Sequence, residues 1–124
     1  MPWSVIFCEE FIEDFKAMPE DLQDEVRANA GFLEEFGPTL GRPKVDTLKG
    51  SAFQNMKELR FDWMNGVWRI AFAFDPQRKA ILLVGGDKRG YDQRQFYRNL
   101  VRQADERYQR HLEKRAEASH GKNS

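Results

Sequence analysis

The hydrophobic period changes twice along this chain, and those changes narrow the architectures open to it. After an apolar opening run, Trp3-Ser-Val-Ile-Phe7, non-polar residues recur at helical spacing as far as Phe36. Between Phe53 and Gly85 they alternate with period two, and from Asp92 the helical spacing returns. This pattern predicts the order β-α-α-β-β-β-α, an α+β domain. At 124 residues, one domain with a small core is expected. It should span residues 1–118, with 119–124 as a flexible tail.

In detail, Pro2 to Cys8 reads as the first strand. Glu9 to Ala17 reads as a short helix with Phe11, Ile12 and Phe15 on its apolar face. Met18-Pro19 breaks it, and Pro19 suits the first position of a second helix. There Leu22, Val26, Ala30 (or Asn29), Leu33 and Phe36 recur until Gly37-Pro38 stops the helix. Thr39 to Val45 reads as a loop. Phe53–Trp63, Val67–Asp75 and Ala80–Gly85 should form an antiparallel meander, turned at Asn65-Gly66 and Asp75-Pro76. The last helix, from Asp92 to about Ala118, carries Phe96, Leu100, Ala104, Tyr108 and Leu112 on one side. Its other side carries Arg94, Arg98, Arg102, Glu106 and Arg110.

Charge follows the same division. Glu9 to Phe36 holds ten acidic residues against two basic ones, whereas Gly37 to Ser124 holds eighteen Lys/Arg against ten Asp/Glu. The net charge is zero, yet the basic residues share their stretch with strongly β-forming ones, which suggests a polyanion as partner. The single cysteine, Cys8, should be a half-buried strand residue, with no histidine near it to activate a thiolate. No basic-then-apolar leader opens the chain, and no apolar run approaches the length of a membrane span. A cytoplasmic protein without membrane contact is therefore expected. No Cys/His or carboxylate cluster has metal-site spacing, so no metal or other cofactor is expected. His111 and His120, in the distal helix and tail, should be solvated.

Strand alternation gathers the candidate chemistry. Phe53, Leu59, Phe61 and Trp63 share one face with Trp68, Ile70, Phe72 and Phe74, and this face should pack on the helical hairpin. Met56, Glu58, Arg60 and Asp62 fall on the opposite face, together with Arg69, Ala71 and Ala73. The small alanines should leave that second face partly open. Lys88 and Arg89 follow the last strand, past Gly85-Gly86. Arg60, Arg69, Lys88 and Arg89 around Glu58 would make a phosphate-binding cleft, since guanidinium forks fit phosphate oxygens. Alternatively, Glu58 merely pairs with Arg60 or Arg69 across strands, contributing at most about 1 kcal/mol.

The strings Gly41-Arg-Pro43, Leu48-Lys-Gly50, Lys57-Glu-Leu-Arg60, Trp68-Arg-Ile70, Phe72-Ala-Phe-Asp75 and Leu82-Leu-Val-Gly-Gly-Asp-Lys88 resemble, in order and spacing, the RelE/ParE superfamily of bacterial toxins. The resemblance is closest to its phage-derived HigB-like branch, and runs from about Val5 to Arg107. It implies a twisted antiparallel sheet packed on an N-terminal helical hairpin, with a C-terminal helix. It also implies a ribosome-dependent, metal-independent endoribonuclease that cuts messenger RNA by attack of a ribose 2′-hydroxyl on the adjacent phosphate. By position, Arg60 and Arg69 match the strand arginines of the RelE pattern, and Lys88-Arg89 its basic pair after the last strand. Glu58 stands where RelE proper has a lysine, as is the habit of the HigB-like branch.

On that resemblance the catalytic candidates are Glu58, Arg60, Arg69 and Lys88. Arg60 and Arg69 would neutralise the scissile phosphate. Lys88 would stabilise the pentacoordinate state or protonate the leaving 5′-oxygen if its pKa is lowered. Glu58 is either the base for the 2′-hydroxyl or the partner that orients Arg69. Lys49, Lys57, Arg89, Tyr91 and Tyr97 are the RNA-binding candidates, with Tyr91 and Tyr97 able to stack on a base; Tyr97 is equally readable as helix core.

The resemblance further implies a cognate antitoxin, commonly a helix-turn-helix protein, through which alone DNA would be contacted, with the ribosome and its message as the other partners. The acidic hairpin is either a solvated face or a docking surface. Arg94, Arg98, Arg102, Arg107, Arg110 and Arg115 either grip ribosomal RNA or line an ordinary surface helix. The rival readings are a ParE-like gyrase inhibitor that cuts nothing, and a degenerate toxin retained to bind its antitoxin.

Overall fold

The computed structural model describes residues 3–90 and 92–122, with side chains as far as Ala118. Seven elements match the expected order: β1 (Ser4–Phe7), α1 (Glu9–Lys16), α2 (Glu20–Phe36), then after a short strand β2 (Val45–Thr47) come β3 (Met56–Trp63), β4 (Gly66–Phe74), β5 (Lys79–Asp87) and α3 (Gln93–Lys122). The strand β2 lies at the end of the stretch expected to be loop, and a single 3₁₀ turn (Gly37–Thr39) follows α2. The last helix continues past Ala118 to Lys122, and residues 123 and 124 lie outside the described residues.

The sheet has the order β1-β5-β4-β3-β2. Its β3-β4-β5 core is the expected antiparallel meander, with β2 antiparallel on one edge. On the other edge β1 runs parallel to β5, because the chain crosses over through the two helices before it returns. The β3–β4 hairpin turns on Met64 and Asn65, both at positive φ, so Gly66 is already the first residue of β4. Glycine is required there for another reason: a Cβ at Gly66 would lie 2.8 Å from the Trp63 backbone carbonyl, as well as 2.5 Å from an Asp87 carboxylate oxygen.

Each face of the sheet carries a helical layer. On one face Leu59, Ile70 and Phe72 are fully buried, as are Val26 and Leu33 from α2. Each such side chain contributes about 1.5–3 kcal/mol by leaving water. Phe36, expected in this core, is the last residue of α2 and is 45 % exposed. Ile12 of α1 is exposed as well, leaving Phe11 as the buried residue of that helix.

The opposite face is covered more fully than the alanines suggested. Ala71 and Ala73 are completely buried, as is Ala104 of α3, with Leu100 and Tyr108 nearly so. The small residues make room for the helix rather than for a ligand. Phe53 precedes the strand assigned to it and packs edge-on against Tyr108, with ring centroids 4.8 Å apart, rather than joining Leu59. Only toward the Arg69 end of β4 does this face stay open.

An irregularity in β5 fixes how α3 and β1 dock. Ala71 pairs with Val84 but Phe72 with Leu82, leaving Leu83 as an extra residue. The Leu83 carbonyl accepts a bond from Arg107 Nη1 at 2.7 Å and one from Cys8 Sγ at 3.5 Å. Cys8 is buried rather than half-buried, and desolvation pushes its thiol pKa up, which disfavours a nucleophilic thiolate.

Candidate active site

Two arginines stand directly opposite each other on neighbouring strands: Arg60 of β3 pairs in register with Arg69 of β4. Like charges so placed repel, and the arrangement persists only with an anion between or beside them. Glu58, two residues along β3 and therefore on the same face, supplies it. Its Oε1 lies 2.7 Å from Arg60 Nε and 3.8 Å from Arg69 Nε. The bond from Arg60 raises that guanidinium's pKa further. Asp46 of β2 holds the other side of Arg60, at 3.3 Å from Nη2.

The third strand and the last helix complete the group. Gly86 pairs with Arg69, and a Cβ there would stand 3.3 Å from the Phe96 ring. Its absence lets the start of α3 approach and brings Tyr97 over the arginines. The Tyr97 hydroxyl accepts from Arg69 Nε at 3.3 Å and donates to Glu58 Oε1 at 3.3 Å. Burial holds the phenol pKa up, so the group remains a donor. Lys88, whose backbone N–H bonds to Val67, places its ammonium 5.9 Å from the Tyr97 ring centroid. Burial lowers its pKa, and Arg69 and Arg60 lower it further.

Glu58 is only 3 % exposed, whereas Arg60 keeps 30 % of its side-chain surface open. The group borders a cleft of about 420 Å³ lined by Arg42, Asp46, Thr47, Lys49, Glu58, Arg60, Gln93 and Tyr97. A second hollow of about 480 Å³ opens from the opposite side of Arg60 and Arg69, toward Lys44 and Glu25. A phosphodiester entering the first cleft meets the guanidiniums of Arg42 and Arg60 and the ammonium of Lys49, while Arg69 lines the second hollow from the other side of Arg60. This is a constellation suited to stabilising charge on a phosphoryl group in transfer.

The structure thus brings together Glu58, Arg60, Arg69, Lys88 and Tyr97, with Lys49 on the cleft wall. Two candidates fall elsewhere. Arg89 turns toward the β3–β4 hairpin, where it bonds to the Met64 carbonyl at 3.2 Å and pairs with Asp87 at 3.5 Å. Lys57 has the parity of Leu59 and so projects on the other face from Glu58. Tyr91 lies outside the described residues. Arg42, Asp46 and Gln93 were not anticipated; Arg42 pairs with Asp46 at 3.4 Å across the turn into β2, and no periodicity marks that turn.

Away from the cleft, His111 is not solvated. It stacks on Tyr108 and lies 3.2 Å from Asp75, while the side chain of His120 falls outside those described. The acidic face of α1 is partly occupied too, since Glu9, Glu10 and Asp14 pair with Lys114, Arg110 and Arg107 of α3. Among the described residues no group of His, Cys, Asp or Glu has the geometry of a metal site, and no helix is long and apolar enough to cross a membrane.

Residues 13–109 match the family model described as "Phage derived protein Gp49-like (DUF891)". The chain belongs to this Gp49-like family. Among similar proteins, "Putative toxin HigB3" of Mycobacterium tuberculosis is 48% identical over 93 residues, covering 75% of this chain and 79% of that protein. "Putative toxin HigB2" of the same organism is 49% identical over 81 residues, covering 64% of this chain and 40% of that longer protein. The fold is that of RelE: a free-state Escherichia coli RelE toxin with two arginines changed to alanine superposes with a TM-score of 0.55. That match covers 82% of this chain and 95% of the other, at 9% identity. The Gp49-like chain thus joins HigB-type sequence to a RelE-type sheet.

Proposed function

We propose that this protein is the toxin of a type II toxin–antitoxin pair and a ribosome-dependent endoribonuclease that stops translation by cutting messenger RNA. The observation that carries the reading is the cross-strand pair Arg60 and Arg69, joined by Lys88 on one open end of the sheet. A purely structural ion pair would not need a third cation held beside two others at the cost of its own pKa. Kinship with the HigB-named proteins and the RelE fold support the toxin assignment and, with it, a cognate antitoxin.

In the proposed reaction the ribose 2′-hydroxyl gives up its proton to water as its oxygen bonds to the adjacent phosphorus, and the bond to the 5′-oxygen breaks. The products are a 2′,3′-cyclic phosphate and a 5′-hydroxyl. Arg60 and Arg69 neutralise the non-bridging oxygens as the phosphorus becomes five-coordinate. Lys88 gives its proton to the leaving 5′-oxygen, a role favoured by a pKa held below the ordinary lysine value by burial and by Arg69. Glu58, almost wholly buried and contacted by Arg60, Arg69 and Tyr97 at one oxygen, orients the two guanidiniums. A message bound in the ribosomal decoding site would present the phosphate in the strained geometry that the cleft then completes.

Purified protein added to translating ribosomes should produce discrete cuts, mapped by primer extension, whose upstream ends carry cyclic phosphate. Replacing the ribose at a mapped position by deoxyribose should abolish that cut. Growth arrest with intact transcripts would sink the nuclease reading. A DNA-damage response under the same conditions would favour the gyrase alternative.

A further inference from the structure

The row of arginines along α3 divides into two populations. Beyond residue 105 the described Lys and Arg side chains are engaged: Arg107 with Asp14, Arg110 with Glu10, Lys114 with Glu9 and Arg115 with Asp75. Before it, Arg94, Arg98 and Arg102 are all exposed, and among the described residues no carboxylate pairs with them. They occupy successive turns at i, i+4 spacing, which sets them about 6 Å apart along the axis. That interval is close to the separation of consecutive phosphates along a strand.

These arginines face a wall that the fold holds in place. Asp105 accepts a bond from Ser51 Oγ at 2.5 Å and one from the Ala52 backbone N–H at 2.9 Å. The fastening pins the segment before β3 against the helix and sets Lys49 and Gly50 opposite Arg94, Arg98 and Arg102. A groove of about 350 Å³ lies between them. Lys49 and Tyr97 line both this groove and the cleft around Glu58, so the two hollows share a wall. The helix thus supplies a basic track leading away from the proposed cutting site.

We infer that this groove binds the backbone of the same single RNA strand whose phosphate enters the cleft, holding about three successive phosphates beside the cut bond. The inference rests on the reading of the cleft as an RNA site but is separable from its chemistry. Asp105 is a positioning residue for the track, acting through the Ser51 segment. Arginines spaced along a helix read no base, so the contribution is to affinity and register, not to sequence preference.

The test compares 2′-O-methyl RNA of five and twelve nucleotides, which cannot be cut, binding to wild type and to the R94Q/R98Q/R102Q variant across a salt series. Wild type should bind the twelve-mer more tightly and with a steeper salt dependence. The variant should lose that length advantage, its log–log salt slope falling by about two, at roughly 0.7 per phosphate contact. Binding of the five-mer should be unchanged. A variant that keeps the length advantage, or a wild type that shows none, overturns the track. Failure of the nuclease reading looks different: unmodified message stays uncut on ribosomes while the length advantage still follows the arginines. On the ribosome, p-benzoylphenylalanine in place of Arg98 should crosslink to the message, and crosslinks confined to ribosomal RNA would assign the groove to another strand and overturn the inference.

Discussion

Two carboxylates are buried under α3, Glu58 on β3 and Asp75 just past β4; Glu58 takes its cations from the strands and Tyr97 from the helix, whereas Asp75 takes His111 and Arg115 from the helix. Their surroundings differ. Asp75 has no exposed side-chain surface, and its Oδ1 takes the backbone N–H groups of Gln77 and Lys79 at 2.9 and 3.0 Å. His111 and Arg115 close over Oδ2. Its bonds go to backbone and to helix, which tie the β4–β5 turn to α3. Glu58 contacts only side chains, those of Arg60, Arg69 and Tyr97, and two of these border an open cleft. A carboxylate bonded to backbone fixes the fold, whereas one bonded to side-chain cations near solvent fixes the position of those cations. One is a fastening and the other an aiming device.

The sharpest separation of the two comes from the cations gathered around Glu58. Arg69→Ala or Lys88→Ala should lower the rate of ribosome-dependent cleavage by about 10²–10³-fold, the usual effect of removing one transition-state donor. Induced expression should become harmless while antitoxin capture stays near wild type; the urea midpoint should hold for Lys88→Ala but drop for Arg69→Ala, which strips the buried Glu58 of one partner. If both variants still cut at the wild-type rate, the cleft is not the active site. Lys88 adds a pH signature. Acting as an acid it must be protonated, so cleavage should fall as pH rises through its lowered pKa, below the ordinary lysine value of 10.5. Lys88→Arg, whose guanidinium keeps its charge, should remove that alkaline limb.

How much of this contrast could be read in advance depends on the geometry involved. Period-two alternation was enough to place Glu58, Arg60 and Arg69 on one face, and helical spacing to place Leu100, Ala104 and Tyr108 inside. Lys88 and Arg89 lie past the end of β5, where no strand alternation separates them, whereas helical spacing does put His111 three residues after the buried Tyr108. The extra residue at Leu83 left no mark in the hydrophobic pattern, because Ile81, Leu82, Leu83 and Val84 are apolar throughout and carry no alternation to slip. Nor did β2 stand out, because three residues are too few to display a period. Hence the contribution of Asp46 to the site emerged only when the strand was paired.

At Asp75 the expected loss is of stability. Asp75→Ala removes an acceptor from two backbone N–H groups and leaves His111 and Arg115 without their buried partner. Breaking such a buried arrangement costs about 3 kcal/mol. Urea unfolding should show it, with the rate of cleavage per folded molecule unchanged. Asp75→Asn keeps Oδ1 for the turn and should recover a large part of the loss. Equal destabilisation by the two substitutions would mean that the turn bonds matter little and the charge alone holds the helix.

Glu58 should respond in the opposite sense. Glu58→Gln preserves an acceptor for Arg60 and Tyr97 and should keep cleavage within about tenfold of wild type. Glu58→Ala frees both guanidiniums and should cost about 10²-fold, the scale of a misplaced reacting group. A general base would not tolerate the amide, so a thousandfold loss in Glu58→Gln would turn the aiming device into a catalytic one.

The smallest expected effect lies farthest from the cleft and measures how closed the Asp75 end is. Arg107 bonds to both Asp14 and the Leu83 carbonyl, the first at a partly exposed site and the second inside the sheet irregularity. Asp14→Asn removes only the exposed ion pair, worth about 0.5–1 kcal/mol, and less in high salt. Arg107→Ala also strips the Leu83 carbonyl of its strong donor, adding the cost of an unsatisfied buried acceptor, about 1–3 kcal/mol. The difference between the two unfolding free energies isolates that carbonyl bond. If they are equal, the Cys8 thiol or water satisfies Leu83 without the arginine. The join between α3 and the β5 irregularity would then rest on apolar packing, and Asp75 alone would fasten the distal helix through charge.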